Sequence, residues 1–457
     1  MKKYVILLLS TGLAAQQLPE PKSFKQKAAE KLQALVALVY NPQKPLYTDQ
    51  DFVAKETQEI VKRLTTIIPE INELLKPNEG SAEAGAAPDR EFKRTVAALR
   101  CLNWLLTENY EQFTKGQGAA VKLTKESFNW LSKLAKRVVC PINSRDAQYY
   151  ALAINDLGKV YDVRDKVNAA AGTSTCNHDT ILAQIFSLSA EDRARLLPTF
   201  SKLSPESQKL VTQLLTGSLN IAQLGQLEAV AIETREFDKL PFATKEFLFV
   251  HIMADVMGAA GFVNLDWSVS FTQPAAKTYM NLYEAMKTPD SYEAFMKKQA
   301  VRFGFIKTEK EDLTHEQIAL TRLATMLRSN TPQDAAQVFD VFLTLDDKTR
   351  YILTNELFFG SQKNVGNPAI KIEYAPALLM HAKNTQQPKQ GFEILAKLFS
   401  ATRKTFAQST ECVIDVGARD LAAQIDPKGE KPITATELLK RTFVVSKINS
   451  AEGKASA

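Results

Sequence analysis

Almost every long segment of this chain carries apolar residues at helical spacing, and runs of alternating β-branched residues are nearly absent. That pairing constrains the fold more than any single motif. A 3.6-residue apolar period puts one stripe of a helix in the core, whereas a strand needs alternation at a period of two. SFKQKAAEKLQALVALVY places Phe24, Leu32, Leu35, Val36 and Val39 along one side, behind Ser23 as a helix cap. EFKRTVAALRCLNWLLTENYEQF, KESFNWLSKLAKRVV and RDAQYYALAINDLGKVYDVRDKV repeat the pattern with a more apolar face. Ser189 and Ser204 stand where helix caps belong, and Pro205 fits a first helical position. One strand candidate, NLDWSVSFTQP, is short and reads equally as an extended loop. The expected fold is all-α.

At 457 residues the chain is too long for one ordinary compact domain. Pro69 interrupts the second helical segment, and PNEGSAEAGAAPDR (Pro77 to Arg90) reads as an exposed linker. The expected organisation is a signal peptide over 1–14, N-terminal helices and linker over 15–90, and a helical domain over 91–290. A C-terminal helical region over 291–450 and a disordered tail over 451–457 complete it. No consistent internal repeat is present.

The signal-peptide expectation rests on Lys2 and Lys3, the short apolar run VILLLSTGLA, and the polar AQQLPEPK after it. It implies export to the periplasm or beyond. A buried first helix or strand in a cytoplasmic protein is the alternative. No later stretch is apolar for long enough to span a bilayer. The net charge of +6 is spread over both signs, and no RNP motif or zinc-finger spacing accompanies it, so no nucleic-acid partner is expected. Cys101, Cys140, Cys176 and Cys412 form no CxxC pair. Cys101 sits in an apolar helix as a small hydrophobe. Cys140 and Cys176 are candidates for a disulfide in an exported chain, against the alternative of four free thiols.

The chemically suggestive stretch is AINDLGKVYD, Ala153 to Asp162. Asn155-Asp156-Leu157-Gly158-Lys159 resembles the HDxGK signature of the HD-domain superfamily, the all-helical metal-dependent phosphohydrolases, with asparagine in place of the doublet histidine. His178-Asp179 in TCNHDTIL lies where some members carry an extra ligand. Asp255 in VHIMADVMGAAG resembles the final aspartate. NHD followed by LNIAQLGQLE (Leu219 to Glu228) is similar to an uncharacterised HD-like branch. The resemblance covers roughly Glu91 to Lys287. It implies an HD-like helical bundle core with additional N- and C-terminal helices. It also implies a site in which Asp156, His178, Asp255, Asn155 and His251 hold one divalent metal (manganese, magnesium or iron). Lys159 would lie near a phosphate, and Asp179 would serve as the proton acceptor.

The departures matter as much. Asn155 replaces an imidazole, and no histidine precedes His178. Either loss weakens a metal site, so no metal at all is the alternative expectation. A degenerate HD-like protein binding a protein partner or a small phosphorylated ligand without turnover is the first functional reading. A phosphohydrolase acting on a nucleotide or another phosphoester is the second, and an unrelated helical scaffold the third. Each residue also has a plain structural role. Asp156 and Lys159, three apart on a helix, can pair. His251 and Asp255, four apart on an apolar face, can satisfy one another. Asn177 or Asp179 can cap a helix. His315 reads as a surface residue at a helix start, and His381 as a residue near a helix C-terminus. The glycines of Gly-Ala-Ala-Gly at 258–261 suit close helix packing better than phosphate binding.

Overall fold

A computed structural model describes residues 66–79, 89–174, 178–217, 219–362, 369–405, 411–415 and 443–447. The described chain is all-α, with one small sheet. The stretches expected as a signal peptide, as a helix over Ser23 to Tyr40 and as a disordered tail lie outside the described residues.

Helix α1 (Arg90–Leu106) is the centre of the first core. Phe92, Val96, Leu99, Leu102 and Leu105 are buried, and Cys101 is fully buried among them. Burial pushes its thiol up to about 12. From Thr95 to Leu105 every residue of this helix is buried, so it is surrounded on all sides there. Helices α2 (Lys125–Val139), α3 (Ile142–Ile154) and α7 (Phe242–Gly258) pack on it. Between α3 and α7 lie α4 (Tyr161–Ala171), α5 (His178–Ser187) and α6 (Pro205–Leu215). Capping follows the sequence. Thr124, Ser189 and Ser204 each accept a hydrogen bond from a first-turn backbone N–H, and Gly172 ends α4 at φ +66°. Pro69 opens a 3-10 helix, Pro69–Leu75, as a helix breaker does when it takes the first turn.

The close approach of α7 to α1 depends on glycine. A Cβ on Gly258 would stand 2.4 Å from the Ala98 nitrogen and 2.6 Å from the Arg94 oxygen, and one on Gly261 would stand 2.4 Å from the Ala98 neighbour Ala97. The NLDWSVSFTQP stretch is not a strand: it is a bent loop after α7 whose last two residues, Gln273 and Pro274, begin the next helix. Its hydroxyls serve the end of α7: Ser268 and Ser270 donate to the Met257 and Val256 carbonyls at 3.0 and 2.8 Å. Helices α8 (Gln273–Ala285) and α9 (Ser291–Phe303) close this core.

A second apolar core runs from Phe303 to Phe399. It is built by α10 (His315–Met326), α11 (Pro332–Leu343), α12 (Asp347–Phe359), α13 (Ala375–Asn384) and α14 (Pro388–Thr405). Against the expectation of helices alone as far as residue 450, this region also holds a three-stranded sheet. Strand β1 (Ala369–Glu373) pairs parallel with β2 (Glu411–Asp415), and β2 pairs antiparallel with β3 (Phe443–Lys447). AIKIE, ECVID and FVVSK are each too short to show a period, and their valines and isoleucines favour the extended chain.

Two further expectations give way. The stretch read as one helix through the DLGK motif is two. Helix α3 stops at Ile154, and Leu157–Lys159 forms a single 3-10 turn before α4. The stretch from Pro77 is not wholly an exposed linker. Glu79 N–H donates to the Lys159 carbonyl at 3.1 Å, Asn78 forms a β-bridge with Val160, and Asn78 is buried. Residues 80–88 lie outside the described residues. Cys140 is exposed and free, and Cys176, its expected partner, lies outside the described residues.

Candidate functional site

Four separate elements deliver charge to one place. Helix α1 brings Glu91 and Arg94 in its first turns. The 3-10 turn after α3 brings Asp156 and Lys159, α7 brings Asp255, and α5 begins with His178. Gly158 allows the last of these. A Cβ there would stand 2.0 Å from the His178 backbone oxygen, so the start of α5 rests directly on the glycine of the motif.

Lys159 is the hub. Its ammonium nitrogen lies 2.6 Å from Asp156 Oδ1 and 2.8 Å from Glu91 Oε2. Arg94 Nη1 donates to the same Glu91 oxygen at 2.8 Å. The Glu91 and Asp156 side chains are almost wholly buried, and Lys159 is 12% exposed. Buried charges persist only when paired and hydrogen-bonded, and these are.

Two carboxylates face two cations, and the formal charges balance. Burial by itself would raise the Asp156 carboxyl. The nearby Lys159 and Arg94 charges, the Lys159 hydrogen bond and His178 overcome that and hold it well below the usual carboxylate range. Burial and the neighbouring Arg94 work against the charged Lys159 ammonium, but Asp156 and Glu91 hold its pKa above the ordinary value. Asp255 is the surplus acid. Burial and then the Asp156 charge push it up to about 6, against the pull of Arg94 and Lys159. By surface area Asp255 is only partly buried, so its shift is smaller in effect than that of an enclosed group.

The expected site residues therefore divide. Asp156, Lys159 and Asp255 come within range of one another's charge, and His178 comes within range of Asp156. Asn155 and His251 form a separate pair beside them, with His251 Nε2 3.4 Å from Asn155 Oδ1. His251 does not hydrogen-bond Asp255 as expected, and its Nδ1 has no partner among the described residues. Burial pushes its imidazole down to about 4, so it is neutral near pH 7. Asp179 points outward: its side chain is 59% exposed, and Oδ1 lies 3.3 Å from His178 Nε2. The other His178 nitrogen faces Glu79 at 3.7 Å. His315 is exposed and stacks on Phe358, and His381 lies near the end of α13. Glu91 and Arg94 were not anticipated. The signal that would have found them is a Glu and an Arg three apart in the first turns of a helix whose later turns are mostly apolar.

This donor set does not fit a metal ion well. The Asp156 and Glu91 oxygens are engaged by Lys159 and Arg94, and among the described residues no group of three or more His, Cys, Asp or Glu side chains is arranged to hold one. Nor is any described helix long and apolar enough to cross a membrane. A family model described as a family of unknown function (DUF6829) matches residues 80–418, which span both cores. No curated protein and no solved structure matches the chain.

Proposed function

The chain belongs to the family of unknown function whose model spans residues 80–418, and from that premise we propose that it is a degenerate HD-like protein with a non-catalytic, ligand- or partner-binding role. One observation carries the reading. The Lys159 ammonium stands between Asp156 and Glu91, where a divalent cation would have to bind if those carboxylates were to serve as ligands. A lysine tethered three residues from Asp156 supplies positive charge permanently, and it offers no exchangeable water to become a nucleophile.

The HD-like part of the reading is supported by order and convergence. Asp156, His178 and Asp255 follow one another as the resemblance requires, and they gather around one charge cluster from three elements. An unrelated scaffold gives no reason for that gathering. The binding role is supported by what the cluster lacks, since every carboxylate in it except Asp255 is already matched by a cation. The partner under this reading is a protein or a small phosphorylated ligand.

The test is metal content by elemental analysis, with manganese titration of the full chain and of Lys159→Ala. The expected result is a wild type without stoichiometric metal and a variant that takes up manganese through the freed carboxylates. A wild type holding near-stoichiometric manganese, iron or magnesium would overturn the proposal and favour a metal-dependent phosphohydrolase acting on a nucleotide or another phosphoester.

A further inference from the structure

The segment LNIAQLGQLE plays no part in the site around Lys159, yet its last residue is a buried carboxyl. Glu228 lies where the two apolar cores meet. Ile221, Leu224, Leu227, Ala229 and Ala231 belong to the first core, while Leu357, Ile370, Ile372 and Ala375 belong to the second. Polar groups join the two. Lys371 of β1 reaches Gln223 at 2.7 Å, Glu233 at 2.8 Å and Glu373 at 3.2 Å. The buried Arg322 of α10 donates to the carbonyls of Leu227 at 3.0 Å and Leu357 at 2.9 Å, and also to those of Glu228 and Ala229. Ala231 N–H donates to the Gly360 carbonyl at 2.8 Å. A side chain at 360 would collide with Arg322, since a Cβ there would stand 2.5 Å from Nη1.

Glu228 itself accepts a hydrogen bond from the Tyr374 backbone N–H. The backbone bends to make that contact on both sides. Leu227 at φ 52° and Tyr374 at φ 66° are both non-glycine residues in the left-handed region, a conformation that costs energy and persists only where the surroundings enforce it.

We propose that Glu228 is the proton-dependent clasp between the two cores: protonated, it stays enclosed between the segment 219–233 and the β1 end, and ionised, it loosens that junction. The charges that face it decide the direction. Among the described residues Lys371 is the ammonium that faces it, already shared by Glu233 and Glu373, so an ionised Glu228 would be a third carboxylate around it. Arg322 is turned to backbone carbonyls, and the Tyr292 hydroxyl of α9 lies near Arg322 and Glu233 without offsetting charge. Glu356 of α12 is taken by Arg403 of α14. Burial, reinforced by Glu373 and Glu233 and opposed by Lys371 and the Tyr374 N–H, pushes the Glu228 carboxyl up to about 8. A raised acid strengthens the closed state at low pH. That advantage is lost as pH rises from the value of a free carboxyl, near 4.5, through the value in the closed state, near 8, and is then exhausted.

Hydrogen exchange read by mass spectrometry on the full chain tests this across pH 5 to 9, after correction for intrinsic exchange. Peptides covering 219–231 and 370–378 should open up to about tenfold more per pH unit below 8 and level off above it. Glu228→Gln, which keeps an acceptor for Tyr374 N–H, should remove that slope. Glu356→Gln, in the same core but facing Arg403, should keep it. A wild-type slope retained in Glu228→Gln, or the same slope in peptides from α1, would overturn the proposal.

Discussion

Lys159 and Asp156 pair in the interior of the first core at 2.6 Å from ammonium nitrogen to carboxylate oxygen, across one 3-10 turn. Because Lys159 also holds Glu91, its removal leaves two buried carboxylates with only Arg94. Stranding a buried charge costs far more than the pair contributes net. Lys159→Met is therefore expected to lower unfolding stability by about 3–5 kcal/mol at pH 7, measured by urea titration. Adding Asp156→Asn should recover part of that loss, because the second change removes one stranded charge. A double variant as unstable as the sum of the singles would show that the two do not act together.

The approach of α7 to α1 makes a second expectation independent of charge. The Cβ of Gly258→Ala would meet backbone atoms of Ala98 and Arg94, not the end of a flexible side chain, so the helices must separate. A loss of about 1–3 kcal/mol is expected from such overpacking, with Asp255 and Arg94 displaced along with the helices. Gly118→Ala is the matched control, since nothing lies within 4 Å of its added methyl. Equal thermal midpoints for the two variants would contradict the packing argument.

His251 gives a pH expectation with a definite sign. Buried beside Asn155, its imidazole stays neutral down to about pH 4, while in the unfolded chain it takes a proton near 6.5. A lowered histidine contributes stability above 6.5 that is lost as pH falls. Between pH 7 and pH 5 the wild type should lose about 2 kcal/mol that His251→Gln does not lose. The His251 ring resonance should not titrate over that interval. A midpoint near 6.5 would mean that the ring is open to water.

The helices and their caps were legible because they depend on neighbours in sequence. Ser189, Ser204 and Pro205 each act within one turn, and their roles follow from residue type. The DLGK motif was legible as a place but not as a state. Whether Lys159 faces a ligand or a carboxylate depends on Glu91, which lies on another helix and is announced by no motif. The same holds for His251, whose spacing from Asp255 allows a pair while the fold turns its ring to Asn155. The three short strands were hidden for another reason. Five residues carry too little pattern, and β1 finds its partner β2 only across helices α13 and α14.

Asp255 separates the two readings of the site most sharply. It is the carboxyl for which the cluster has no cation left, and it is pushed up to about 6. A raised acid weakens the fold as pH rises from near 4 to near 6, because the unfolded chain releases the proton first. Asp255→Asn keeps the shape and removes that penalty. With no metal bound, the variant should be more stable than wild type at pH 7.5, on the order of 1–2 kcal/mol after allowance for partial exposure, and equal to it at pH 4. A divalent ion resident at the site reverses the sign, since the amide then replaces a charged ligand. Urea unfolding of both proteins at the two pH values, with and without a chelator, reads the difference. Greater stability of Asp255→Asn at pH 7.5 in both conditions is the expected outcome. A variant weaker than wild type, with the gap closed by chelator, would return this site to metal chemistry.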